Sequence, residues 1–151
     1  MPIFPGKEGG ALNRSEVLEF VRKNPTSFMA TMEKGEPRVR AMDTPVVDEH
    51  GLTFCTGSVK DVCLELRENP EAELCYWSRE EGLQVRVRGR LEELRDQALK
   101  EHIVETRFTF LKPVVAAHGW ESLALFRLSR GEVRTWSPAS AAEVNARVYE
   151  F

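Results

Sequence analysis

The stretch Leu52-Thr53-Phe54-Cys55-Thr56-Gly57-Ser58-Val59-Lys60-Asp61-Val62-Cys63-Leu64-Glu65-Leu66-Arg67-Glu68-Asn69-Pro70 decides the fold. It reads as a short strand, a hydroxyl-rich turn and a helix of two to three turns. Val59, Val62, Cys63 and Leu66 follow the i, i+3, i+4, i+7 spacing of one buried helical face. Ser58 followed by Asp61 forms a capping-box variant at the start, and Asn69-Pro70 stops the helix. Lys60 is the residue this pattern does not explain. A cation in a first helical turn opposes the macrodipole at a cost of roughly 0.3–1 kcal/mol, and the first amides there lack intrahelical acceptors. An anion resolves both. Thr56 and Ser58 offer hydroxyls, Gly57 lets the backbone approach closely and Lys60 brings charge, as a phosphate cradle requires. The alternative is an ordinarily capped helix whose Lys60 is solvated.

Working outward, 151 residues fit a single domain over residues 1–151, with residues 1–12 as an arm broken by Pro2, Pro5, Gly6, Gly9 and Gly10. A net charge of -3 argues against a nucleic-acid binder, which needs a basic balance. Neither a basic leader with an apolar core nor a run of about 18 apolar residues occurs, so no membrane role and a cytoplasmic location are expected. Cys55, Cys63 and Cys75 are odd in number, lack C-x-x-C spacing and sit in apolar patterns. They read as reduced core residues.

Before the central stretch, a helix capped by Ser15 with Val17, Leu18 and Val21 on its apolar face ends at Asn24-Pro25. Thr26–Met32 reads as a strand, Glu33-Lys34-Gly35-Glu36 as a hairpin loop, and residues 37–47 as a second strand with Arg38 and Arg40 on one face. These arginines suit either a solvated face or a phosphate, given their forked donors. After Pro70, Ala72–Ser78 and the strand from Leu83 form another hairpin; Leu83, Val85, Val87, Gly89 and Leu91 alternate with Gln84, Arg86, Arg88 and Arg90. Gly89 marks a bulge or a close backbone approach. Residues 95–107 read as a helix with Ala98, Leu99, His102 and Ile103 inward, 108–119 as an irregular crossover broken by Pro113, and 122–136 as a last hairpin before a short helix capped near Ser137 or Ser140. Six or seven short strands with helices only between groups of strands predict a mainly β fold, a closed or partly closed antiparallel barrel.

Most catalytic motifs are absent: there is no G-x-S-x-G, no H-E-x-x-H, no dinucleotide glycine fingerprint and no Walker motif. His50, His102 and His118 lie in unrelated segments, so no metal site is expected and no catalytic residue stands out. An enzyme of this composition would leave its chemistry to a bound cofactor.

The order of Arg38-Val39-Arg40-Ala41-Met42, Phe54-Cys55-Thr56-Gly57-Ser58-Val59-Lys60, Asn69-Pro70, Leu74-Cys75-Tyr76-Trp77 and Leu83-Gln84-Val85-Arg86-Val87-Arg88-Gly89 resembles the pyridoxamine 5′-phosphate oxidase-like, FMN-binding split-barrel family over residues 14–137. The resemblance implies a six-stranded antiparallel split β-barrel and a homodimer with FMN at the subunit interface. By the same resemblance the strand with Arg38, Val39, Arg40 and Ala41 runs along the flavin, Cys55 and Thr56 contact its ring and ribityl chain, Ser58, Val59 and Lys60 meet the phosphate, Gln84 reaches the flavin and Trp136 lines the ring pocket. The oxidase proper carries Arg-Lys where Val59-Lys60 stands here, and a longer basic C-terminal segment. The implied activity is therefore FMN-dependent oxidoreduction of a small molecule, with a reduced nicotinamide or similar electron donor. Two other readings stand beside it: a flavin-binding or haem-binding stress sensor or carrier without turnover, and a deazaflavin-dependent reductase.

Overall fold

A computed structural model of the chain describes residues 12–140 and 148–151. Helix α1 (Arg14–Lys23) leads into β1 (Thr26–Glu33), β2 (Glu36–Asp43), β3 (Val46–Asp48) and β4 (Gly51–Gly57); α2 (Asp61–Glu68) precedes β5 (Glu71–Ser78), β6 (Leu83–Arg90) and β7 (Glu92–Leu94). Then come α3 (Gln97–Thr106), α4 (Lys112–His118), β8 (Leu123–Leu128), β9 (Glu132–Trp136) and β10 (Val148–Glu150). The strands form two antiparallel sheets, one of six strands in the order β10-β9-β6-β5-β1-β2 and one of four in the order β3-β4-β8-β7. The expected mainly β, split-barrel architecture is what the molecule has.

Local chemistry explains most boundaries. Asn13 caps α1, its side chain accepting from the Glu16 amide at 2.9 Å while Glu16 accepts from the Asn13 amide at 2.8 Å. This reciprocal box starts the helix two residues before the expected Ser15 cap. Lys34 and Gly35 both have positive φ, at 50° and 79°, the two-residue turn whose twist matches a hairpin. Gly89 lies where strands cross: a Cβ there would sit 2.5 Å from the Arg130 carbonyl oxygen, so the expected close approach is real.

Several expectations fail for physical reasons. The strand expected over 37–47 breaks after Asp43, so that β2 and β3 join different sheets. β8 and β9 are no hairpin either: β8 pairs with β4 and β7, whereas β9 pairs with β6 and β10. Short turns between alternating runs look alike whether the chain folds back or changes sheet. Residues 109–118 are helical, a 3₁₀ turn at Thr109–Leu111 followed by α4, because Pro113 falls in the first turn of α4 where no amide donor is needed. In α3 the buried pair is Ile103 and Val104, while Ala98 and His102 are exposed. Among the described residues ten strands replace the six or seven expected, the extra ones being the three-residue β3, β7 and β10. After Trp136 a 3₁₀ turn spans Pro138–Ser140, and the rest of the expected terminal helix lies outside the described residues, as does nearly all of the proposed arm.

The main core fills the space between the sheets, α1 and α2, with Phe20, Met29, Leu74, Tyr76, Val85, Val87 and Phe126 among its members. A second cluster under α3 joins Ile103, Val104, Phe108 and Leu125 to Cys55. No helix among the described residues is long and apolar enough to cross a membrane.

Candidate functional site

The turn after β4 is fixed from both sides. The Ser58 amide donates to the Ser122 carbonyl at 2.8 Å, and the Lys60 amide donates to Gly57 at 3.1 Å. Lys60 is the N-cap of α2, in extended conformation, with no side-chain cap bond. The Ser58–Asp61 capping box therefore does not form; Ser58 lies two residues before the N-cap. Val59, expected on the buried stripe, is 85% exposed because the helix begins only after it. The rest of the expected stripe, Val62, Cys63 and Leu66, is buried, and Glu65 is buried with it.

The Lys60 side chain is exposed and makes no hydrogen bond or ion pair among the described residues. A Cβ on Gly57 would lie 3.1 Å from Lys60 Cγ, so the glycine leaves room for the lysine stem beside the turn. The side chains of Thr56 and Ser58 are half-buried. Together with the first-turn amides of α2, these groups make a donor set of the kind that suits a phosphate monoester. Cys55, one residue before, is buried, and burial pushes its thiol up to about 11, partly offset by Lys100. It is a neutral thiol at physiological pH and no nucleophile.

The two strand arginines have different fates. Arg38 is paired on the surface with Glu33 at 2.8 Å and Glu36 at 3.4 Å. Arg40 turns beneath the sheet, donating from Nη2 to Glu65 Oε2 at 2.6 Å and from Nη1 to Thr31 Oγ1 at 2.6 Å and the Met29 carbonyl at 3.3 Å. The Thr31 hydroxyl in turn donates to Glu65 Oε2 at 2.6 Å. Glu65 is the partner that helical patterning overlooked. Its position three residues after Val62 and next to Leu66 placed it on the buried stripe, where a carboxylate requires a cation.

The remaining predicted residues gather on the other face of the six-stranded sheet. Register places Gln84 opposite Trp136 and Trp77 opposite Gln84, and the two tryptophan rings lie 6.4 Å apart. On the same face Phe28 stands opposite Ala41 and Cys75, and Ala30 opposite Val39. Phe28, Val39, Trp77 and Trp136 are all exposed and form an apolar stripe across the sheet. Cys75 shares this face and is only half-buried, so it is not the core residue expected. Two grooves indent the chain elsewhere. One of about 440 Å³ lies at the C-terminal end of α2 against Leu91 and Phe126, the other of about 600 Å³ beside Arg14, Arg127 and Phe151, and neither is lined by a predicted site residue. Among the described residues no cluster of histidine, cysteine or carboxylate side chains could hold a metal ion.

Comparison with known proteins places this geometry in context. The family model for pyridoxamine 5′-phosphate oxidase matches residues 14–137, and the chain belongs to that family. A pyridoxine/pyridoxamine 5′-phosphate oxidase of Trichormus variabilis is 33% identical over 73 residues, 48% of this chain and 34% of that relative. The match thus spans about a third of the relative's length. Among solved structures, a NimC/NimA family protein from Clostridium acetobutylicum superposes with a TM-score of 0.74 at 20% identity, over 91% of this chain and 92% of the other. A Clostridium acetobutylicum protein related to general stress protein 26 of Bacillus subtilis gives 0.66 at 17% identity, over 91% and 93%. At these identities the likeness is one of fold.

Proposed function

We propose that the chain is an FMN-binding flavoprotein of the oxidoreductase kind, working as a twofold homodimer on a small molecule with a reduced nicotinamide or similar electron donor. The observation that carries this reading is Lys60: an exposed cation whose side chain has no partner among the described residues, at a helix start, beside two hydroxyls and a glycine. Family membership over residues 14–137 supports a flavin as the group that would use it. A bound flavin supplies hydride and electron transfer that no side chain here can perform. The chain's own part is to hold it. Lys60, Ser58 and Thr56 take the phosphate, Gln84 offers an amide to the ring system, and Val39, Ala41 and Trp136 supply apolar cover. Val59, exposed beside Lys60, leaves the phosphate one cation fewer than the oxidase proper has, and the Arg40 donors are already engaged by Glu65, Thr31 and Met29.

The apolar stripe of Phe28, Val39, Trp77 and Trp136 supports the homodimer, since a twofold contact would cover it and repeat every site. Purified protein is expected to be yellow and to release FMN by mass, and to sediment as a dimer. A colourless protein that cannot be reconstituted with FMN would overturn the cofactor, and a monomer that retains FMN with ordinary affinity would overturn the interfacial site.

A further inference from the structure

We infer that Glu65 is a positioning residue for the phosphate cradle, holding the start of α2 in place through its bonds to β1 and β2; this rests on the reading of Lys60 given above. Glu65 is 4% exposed, and one of its oxygens accepts two bonds of 2.6 Å, from Thr31 Oγ1 on β1 and Arg40 Nη2 on β2. Arg40 also donates to Thr31, which closes a three-membered ring of side chains around one buried carboxylate oxygen. Among the described residues β2 is the edge strand of its sheet, with a neighbour on one side only. The ring therefore fastens an edge strand to a helix, and it does so one turn and a fraction beyond Lys60. Val62, Cys63 and Leu66 pack the helix by apolar contact, which leaves bonding direction unspecified. Two short charge-assisted bonds to a fixed oxygen do not, and they set the helix's register on the sheet.

The link to the cradle is mechanical. Ser58 is pinned to Ser122 through its backbone, but Lys60 is held only by the turn bond to Gly57 and by the helix it caps. The Lys60 carbonyl accepts from the Cys63 and Leu64 amides, so the first turn moves with the rest of α2. Glu65 thereby fixes where Lys60 and the free amides present themselves to an anion. A helix packed only by its apolar stripe would spread those donors over several positions and lose affinity as the fraction in the competent position falls.

The test compares Glu65→Gln with Val17→Ala, a core truncation on α1, where no candidate site residue lies. FMN affinity of the full chain is measured by fluorescence quenching well below each variant's melting temperature, and hydrogen exchange of amides 61–64 is followed without FMN. Glu65→Gln is expected to weaken FMN binding by about 10-fold to 100-fold and to speed exchange at 61–64 at least about 10-fold. Val17→Ala is expected to lower the melting temperature while leaving both readouts within about twofold. Equal effects of the two variants would overturn the inference, leaving Glu65 a structural residue only. Tighter FMN binding in Glu65→Gln would also overturn it, because Glu65 would then be competing with the phosphate for Arg40. If the unaltered chain binds no FMN, the cofactor reading fails on its own, and exchange at 61–64 still decides whether Glu65 holds the helix start.

Discussion

Helix α2 is tied to the sheets at two places by the same pair of residue types, and the two ties differ in nearly every physical respect. In its second turn, Glu65 meets Arg40 at 2.6 Å with side-chain exposures of 5% and 22%. At its end, Arg67 meets Glu93 of β7 at 2.6 Å with exposures of 44% and 36%. The distances are equal, so distance alone says little about what a pair is worth. In the buried tie the carboxylate has lost its water and depends on Arg40 and Thr31. In the exposed tie water solvates whatever the partner leaves. The buried tie faces β1 and β2, the exposed one lies beside the groove at Leu91 and Phe126.

The strongest way to break this contrast is Glu65→Leu, which leaves Arg40 and Thr31 without their shared acceptor. It should lower unfolding free energy by about 3–5 kcal/mol, read from urea melts of the apo chain. The double change Arg40→Met/Glu65→Leu removes both charges together and should recover most of that loss. A double variant as unstable as the single one would mean that the ring stabilises by geometry that apolar packing cannot replace.

Next in size is Lys60→Ala. A charge-assisted bond to phosphate contributes on the order of 1.5–3 kcal/mol, so FMN affinity should fall roughly 10-fold to 150-fold in a binding titration. Apo stability should stay level or rise slightly, because Lys60 opposes the dipole of its own helix. Unchanged affinity would return Lys60 to the solvated surface and take the cradle with it.

The difference between the two ties also marks what could be read in the chain before its structure was known. Helix α2, the β5–β6 hairpin and the close approach at Gly89 were legible because each is a local matter of period, cap or steric demand. The order of Arg38-Val39-Arg40, Thr56-Gly57-Ser58 and Gln84 was enough to name the family. Spacing also put Arg38 and Arg40 on one face, but not which arginine would find a buried acid. That depends on Glu65, 25 residues further on, and on α2 packing over β1 and β2. Sheet membership of β8 and β9 was equally out of reach, since the Ser129-Arg130-Gly131 segment has turn composition whether it closes a hairpin or carries the chain across the split. The exposed tryptophans show the same limit: alternation placed Trp77 opposite Tyr76, but only register across three strands brought it beside Trp136.

The smallest effect belongs to the exposed tie and follows from proton linkage. Arg67 hydrogen-bonds Glu93 and holds its carboxyl below the ordinary value of 4.5, against a weaker opposing effect of burial, with Arg95 and Lys100 adding to the lowering. A carboxyl whose pKa is lower in the folded state than in the unfolded one stabilises the fold at pH values above the unfolded pKa. That stabilisation fades as pH falls through the lower, folded value. Because the pair is largely solvated, its contribution at neutral pH should stay below about 1 kcal/mol and shrink further in high salt. Glu93→Gln should therefore melt slightly below the unaltered chain at pH 7 in low salt, and the two curves should converge as pH falls from above 4.5 through the lower folded-state value and Glu93 takes up its proton. A gap that persisted unchanged across the whole acid limb of the titration would place the effect in packing against the groove at Leu91 and Phe126, and the two ties of α2 would then be more alike than their exposure suggests.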